Sequence, residues 1–142
     1  MIGHLVDLGT KEIMIGVGGS STNDGGIGMA AGLGYRFFDE SGQEVAAVGD
    51  NLGNITTISY EDYHWDLSQV ELTIITDVTN PLCGPNGATY VFGGQKGLAN
   101  EKFASVDKDM EQFYQSFFPV ILDLAGAGAG GGMAAGLAAF TG

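Results

Sequence analysis

Carboxylate, hydroxyl and amide side chains follow one another directly after the apolar run Leu72–Thr76. This run is typical of a buried β-strand, so Asp77, Thr79 and Asn80 should lie on the turn at its carboxyl end. Ligands of open α/β sheets bind outside the carboxyl ends of strands. Asp77 is therefore a candidate for binding Mg²⁺ or for accepting a proton, with Thr79 and Asn80 as candidate substrate-binding residues. The alternative is a proline-terminated turn whose polar side chains satisfy only the local backbone.

A second polar loop, Gly18–Gly26, follows the apolar run Ile13–Val17 and precedes a stretch of small residues that predicts a helix from Ile27. Backbone N–H groups of such a loop, together with a helix N-terminus, can bind an anion. Asp24 is a candidate base or metal ligand, and Asn23 can orient a hydroxyl. The other candidate anion-binding residues are Gly18, Gly19, Ser20, Ser21, Gly25 and Gly26. The alternative, that Asn23 and Asp24 only cap the helix, is equally compatible with the sequence.

Two further features carry weaker signals. Lys96 lies in a glycine-flanked segment and is one of only five Lys and Arg residues, so it can place a charge on a phosphate or remain a solvated loop lysine. Gly126 and Gly128 begin a Gly-x-Gly-x-x-Gly pattern that formally matches a dinucleotide-binding fingerprint. The acidic residue that should follow about 20 positions later would fall beyond Gly142. This loop is accordingly predicted to bind an anion or to pack helices.

The overall charge limits the classes of partner. A formal net charge of −12 argues against nucleic acids and anionic membranes. The same charge requires backbone N–H groups, a few cations and Mg²⁺ to offset repulsion of an anionic nucleotide. Cys83 is the single cysteine, which excludes an intrachain disulfide and favours a reducing, cytoplasmic location. No apolar run is long enough for a transmembrane helix.

Four blocks in this order resemble the glycerate kinase family: Gly18–Gly26, Asp77–Gly84, Val91–Gly97 and Gly126–Gly132. Two departures from the family pattern, Gly94 and the proline-free stretch 122–125, affect no polar site residue. The resemblance implies phosphorylation of D-glycerate by ATP with Mg²⁺, small-molecule partners only, and Asp24, Asp77 and Lys96 as the catalytic residues. It also implies that Asp24 and Asp77 are the metal ligands. The oligomeric state stays open, with a homodimer as one option.

The predicted fold is α/β, with a mixed, mostly parallel sheet and helices on both faces. Residues 1–142 are expected to form a single domain, the central portion of a longer, two-domain kinase whose other lobe is missing. Two alternatives remain: a truncated domain that folds without turnover, and a nucleotide- or dinucleotide-binding module. If the strands before Asp24 and Asp77 are parallel neighbours, both carboxylates should face one crevice.

Overall fold

The computed structural model describes all residues, 1–142. Five strands and five α-helices alternate irregularly along the chain, joined by turns and short 3₁₀ segments. The strands are β1 (Glu12–Gly16), β2 (Arg36–Phe38), β3 (Glu44–Val45), β4 (Thr57–Ser59) and β5 (Glu71–Ile75). The helices are α1 (Ile2–Asp7), α2 (Ile27–Gly32), α3 (Ala88–Phe92), α4 (Phe103–Phe117) and α5 (Ala129–Thr141).

The predicted α/β class is confirmed, but the strands form two small sheets instead of one mixed sheet. β1 pairs in parallel with β5, whereas β2 lies between β3 and β4 in an antiparallel sheet. The antiparallel sheet is separate because Phe37 of β2 packs against Phe113 of α4 and Phe140 of α5, not against the parallel pair. One face of the parallel pair is open in this chain, since Met14 is 70% exposed. Helices on both faces of a mostly parallel sheet are therefore not observed here.

Apolar residues at three- and four-residue spacing from Phe103 to Phe117 predict one long amphipathic helix, and the structure confirms it as α4. Met110, Phe113 and Tyr114 of this helix are buried. Asparagine is a favoured helix N-cap, so the sequence predicts Asn100 in that role, but a 3₁₀ turn, Asn100–Lys102, precedes the helix and Lys102 is the N-cap. None of the helices combines the length and the hydropathy that a membrane-spanning segment requires.

The buried residues form two apolar clusters. One centres on α4 and the antiparallel sheet, and it includes Phe37, Met110 and Tyr114. The other lies between the parallel strands and α5, and it includes Ile13 and Leu137. The second cluster fixes α5 and the loop before it beneath the carboxyl ends of β1 and β5, where the polar loops begin.

Candidate functional site

The carboxyl ends of β1 and β5 lie side by side. The register pairs Gly16 with Ile75, and the Val17 N–H donates a hydrogen bond of 2.8 Å to the Ile75 carbonyl. The loop 18–26 and the turn that begins at Asp77 therefore leave the sheet at the same edge. This is the topological condition from which a shared crevice was predicted.

Two glycine-rich loops pack backbone against backbone at this edge. The Gly25 N–H donates to the Gly131 carbonyl at 3.1 Å. Gly131 has φ of +69°, and a Cβ at this position would overlap the Thr22 carbonyl oxygen. A Cβ on Gly128 would likewise overlap the Pro81 carbonyl oxygen. Protein backbone thus occupies the space that a dinucleotide fingerprint keeps for a pyrophosphate, which favours the helix-packing interpretation of the loop 126–132.

Asp24 lies beneath its loop, with 8% of the residue exposed. Its Oδ1 atom accepts a hydrogen bond from the Gly26 N–H at 2.8 Å, and its Oδ2 atom accepts one from the Gly28 N–H at 3.2 Å. Both carboxylate oxygens therefore stabilise the first turn of α2. This geometry agrees with the alternative in which Asp24 caps the helix that begins at Ile27.

Asn23 is also held inside the protein. Its Nδ2 group donates to the hydroxyl of Thr89, a fully buried residue of α3, at 3.0 Å. The Oδ1 atom of Asn23 is buried without a hydrogen-bond partner. This hydrogen bond connects the loop to α3 through Thr89, a residue that was not predicted to contribute to the site.

Lys96 reaches across to the loop 18–26 and is partly buried there, so it is not a freely solvated loop lysine. Its ammonium donates to the Ser20 hydroxyl at 3.0 Å and to the Thr22 carbonyl at 2.8 Å. The Ser20 hydroxyl in turn donates to the Gly130 carbonyl at 2.8 Å. Partial burial lowers the pKa of Lys96, and the nearby Asp24 carboxylate opposes this effect. The Ser20 hydroxyl therefore connects three of the four sequence blocks, through Lys96 on one side and Gly130 on the other.

Asp77 differs from Asp24 in being exposed. It borders a shallow depression formed by the two strand ends, Gly16–Gly18 and Ile75–Asp77. Asp24 does not line this depression. The two strand ends converge as predicted, whereas the two carboxylates occupy different environments.

The segment after Asp77 rests on the second glycine-rich loop. The Gly126 N–H donates to the Thr79 carbonyl at 3.1 Å, and the Gly128 N–H donates to the Asn80 carbonyl at 3.0 Å. The side chain of Asn80 donates to the Asn86 carbonyl at 2.8 Å, so this amide orders its own turn. The exposed members of the predicted site are Gly18, Gly19, Ser21, Asp77 and Thr79.

Two residues that support this region were not predicted from the sequence to contribute to it. Thr89 anchors Asn23, and the buried Tyr114 hydroxyl donates to the Gly25 carbonyl. Tyr114 was recognised only as part of the apolar stripe of α4, because no local signal reveals a hydrogen bond to a distant loop. Burial, together with the neighbouring carboxylates of Asp107 and Glu111, raises the pKa of Cys83 to about 12, so this thiol is a packed side chain and not a reactive thiolate.

Comparison with known proteins decides the family. The model of the glycerate kinase family matches residues 1–142, the whole chain. The chain belongs to the glycerate kinase family. It is 50% identical over 140 residues to the glycerate kinase of Neisseria meningitidis serogroup B, covering 99% of this chain and 38% of that protein. It is 36% identical over 146 residues to the glycerate 2-kinase of Escherichia coli K12, covering 100% of this chain and 38% of that relative.

A solved structure matches the fold. The chain superposes on the putative glycerate kinase 2 of Salmonella typhimurium LT2 with a TM-score of 0.90 and 41% identity, covering 98% of this chain and 38% of that one. The chain thus spans 38% of the length of these relatives. The activity of the full-length relatives is a property of those longer proteins.

Proposed function

We propose that this chain supplies part of the active site of a glycerate kinase that transfers the γ-phosphoryl group of ATP to a hydroxyl of D-glycerate. The observation that carries the proposal is the position of Lys96, one of five Lys and Arg residues, held by the family's glycine-rich loop. In a chain of net charge −12, a partly desolvated lysine beside the exposed backbone of Gly18 and Gly19 is suited to bind an anion.

Phosphoryl transfer requires mainly positioning and charge stabilisation. In the proposed site, Lys96 offsets phosphate charge, and the exposed backbone of Gly18 and Gly19 contributes N–H groups. Ser20 fixes the ammonium, since its hydroxyl accepts from Lys96 while donating to Gly130. Asn23 and Asn80 keep the shapes of the two loops between which glycerate would lie.

Asp77 is the proposed metal ligand or base. No group of three or more His, Cys, Asp and Glu side chains gathers anywhere in the chain. Mg²⁺ in kinases is usually held by one or two carboxylates together with substrate phosphates, so a single exposed carboxylate at a strand end fits it. Bound there, the ion would neutralise charge on the transferring phosphoryl group. Asp24, whose oxygens both accept from backbone, is proposed to act through the shape of its loop.

Residues 1–142 are proposed to form one domain. The support is Tyr35, which packs against both apolar clusters and donates its hydroxyl to the Phe140 carbonyl at 3.0 Å. The activity, the use of ATP and Mg²⁺, and a homodimer all remain proposals for the longer protein. We expect the 142-residue chain alone to show little or no turnover with ATP, Mg²⁺ and D-glycerate.

A chimera tests the proposal directly. This chain replaces the matching region of the Neisseria meningitidis glycerate kinase, to which it is 50% identical. The chimera should phosphorylate D-glycerate, and Lys96→Met should lower its kcat/KM by about 100-fold or more. The matched control is Lys108→Met, which removes an exposed lysine of α4 and should leave kcat/KM within about twofold. Equal effects of the two substitutions would refute the role of Lys96.

A further inference from the structure

A large apolar cavity lies beside the Lys96 site and is distinct from the depression at Asp77. Its volume is about 650 Å³, within the range of cavities that bind small organic ligands. It lies between α1, the end of β1, α2 and the start of the regular part of α5. Its apolar walls are formed by Ile15, Met29, Leu33, Trp65, Met133 and Leu137.

The cavity and the Lys96 site share Gly18 and Ser20. Gly18 and Ser20 line the cavity, and the Ser20 hydroxyl accepts the hydrogen bond from the Lys96 ammonium. A ligand that fills the cavity and extends past Ser20 therefore reaches the charge. This arrangement suits a molecule with a bulky, planar, apolar end and an anionic end.

Polar groups of two residues also lie at the cavity wall. In the parallel ladder, Val17 bonds to Ile75, so the N–H and C=O groups of Gly16 point away from β5. Gly16 lines the cavity, and no other atom lies within 4 Å of the position of a Cβ on it. Asp7 also lines the cavity and uses one oxygen to accept from the Trp65 indole N–H at 3.1 Å. One donor and two acceptors thus remain for a base.

We propose that this cavity binds the nucleoside part of the nucleotide, with the phosphates passing Gly18 and Ser20 toward Lys96. The inference rests on the proposed use of a nucleotide. Glycerate, a small polar acid, cannot fill an apolar space of this size. With 17 Asp and Glu against five Lys and Arg, much of the affinity for an anionic nucleotide has to come from burial of its base.

The test uses the chain itself, because Trp65 is its single tryptophan and lines the cavity. Adenosine, which carries no phosphate, should change the fluorescence of Trp65 saturably, and ATP should compete with it. D-glycerate should not compete. Lys96→Met should weaken ATP binding at least tenfold and leave adenosine binding within twofold, since only the phosphates reach the lysine.

A filled cavity provides the decisive variant. An added Cβ on Gly32 meets no atom within 4 Å, so Gly32→Phe places a ring in the cavity without a clash at the backbone. It should weaken adenosine binding at least tenfold. The control is Ala31→Phe, which adds the same ring to the exposed neighbour on α2 and should bind adenosine as the parent chain does. Circular dichroism confirms that both variants are folded.

The two proposals fail in different ways. If adenosine leaves Trp65 fluorescence unchanged, or if Gly32→Phe binds adenosine as tightly as Ala31→Phe, the cavity does not bind the nucleoside. If adenosine binds as expected but the chimera transfers no phosphoryl group to glycerate, the cavity assignment stands and the proposed kinase activity fails.

Discussion

The loops that follow β1 and β5 begin at the same edge of the same parallel pair, yet their carboxylates have opposite surroundings. Asp24 is buried, and both of its oxygens accept backbone hydrogen bonds. Asp77 is exposed beside an open depression. Asp24 turns back onto the first turn of α2 and lies against Gly49, whereas Asp77 stays exposed although the second glycine-rich loop bonds to the carbonyls of Thr79 and Asn80. Topology brings the two loops together, and packing determines which carboxylate can meet a ligand.

The largest expected effect tests that packing. Gly131→Ala places a methyl group on the Thr22 carbonyl oxygen at a residue with φ of +69°. We expect the free energy of unfolding to fall by about 3–5 kcal/mol, measured by urea denaturation. Gly97→Ala is the matched control, because Gly97 has φ of +89° but open space around it. It should cost only about 1–2 kcal/mol. Equal losses would mean that the contact between the loops does not hold the site.

A smaller effect distinguishes the two carboxylates by stability. Asp24→Ala leaves two backbone N–H groups of the first turn of α2 without their acceptor. It should lower the free energy of unfolding by about 1–2 kcal/mol. Asp77→Ala removes an exposed side chain and should change it by less than about 0.5 kcal/mol. A larger loss for Asp77→Ala than for Asp24→Ala would reverse the comparison.

The smallest effect is a pH dependence at Lys96. Burial lowers the pKa of this lysine in the folded chain, so its protonation favours the unfolded chain. Stability should therefore be lost as the pH falls through the folded pKa. Lys96→Met removes this loss, so the Tm of the variant relative to the parent should be higher at pH 7 than at about pH 10.5. The change should not exceed about 2 °C, because the lysine is partly exposed to solvent.

The control for this measurement is Lys102→Met, which removes an exposed lysine. Its Tm difference from the parent should stay constant over the same pH range. A constant difference for Lys96→Met as well would show that Lys96 is not desolvated in the folded chain.

The sequence predicted the parts of this fold that depend on local pattern. Apolar runs located β1 and β5, and helical spacing located α4. The four blocks that carry the resemblance lie together: Lys96, Ser20 and Gly130 join three of them, and the bonds from Gly126 and Gly128 to Thr79 and Asn80 bring in the fourth. The pairing of the strands into two sheets was missed, because the contact of Phe37 with Phe113 and Phe140 is long-range.

The environment of each site residue was equally beyond local reasoning. Asp24 and Asp77 each follow an apolar run, so the sequence predicts the same position for both, on the loop at the carboxyl end of a strand. Their burial depends on tertiary contacts, since Asp24 lies against Gly28 and Gly49 whereas Asp77 borders an open depression. The anchoring of Asn23 by Thr89 and of Gly25 by Tyr114 also depends on tertiary contacts.

The central claim is that Asp77 acts on the ligand while Asp24 acts on the loop. The most direct measurement is the kcat/KM of the chimera for D-glycerate with Asp77→Asn and, separately, with Asp24→Asn. We predict that Asp77→Asn lowers kcat/KM by about 100-fold or more with an unchanged Tm. Asp24→Asn should lower the Tm and reduce kcat/KM by less than about tenfold, because its amide retains one acceptor for the loop. If Asp77→Asn stays within threefold of the parent chimera, while a folded Asp24→Asn loses more than 100-fold, the claim is contradicted.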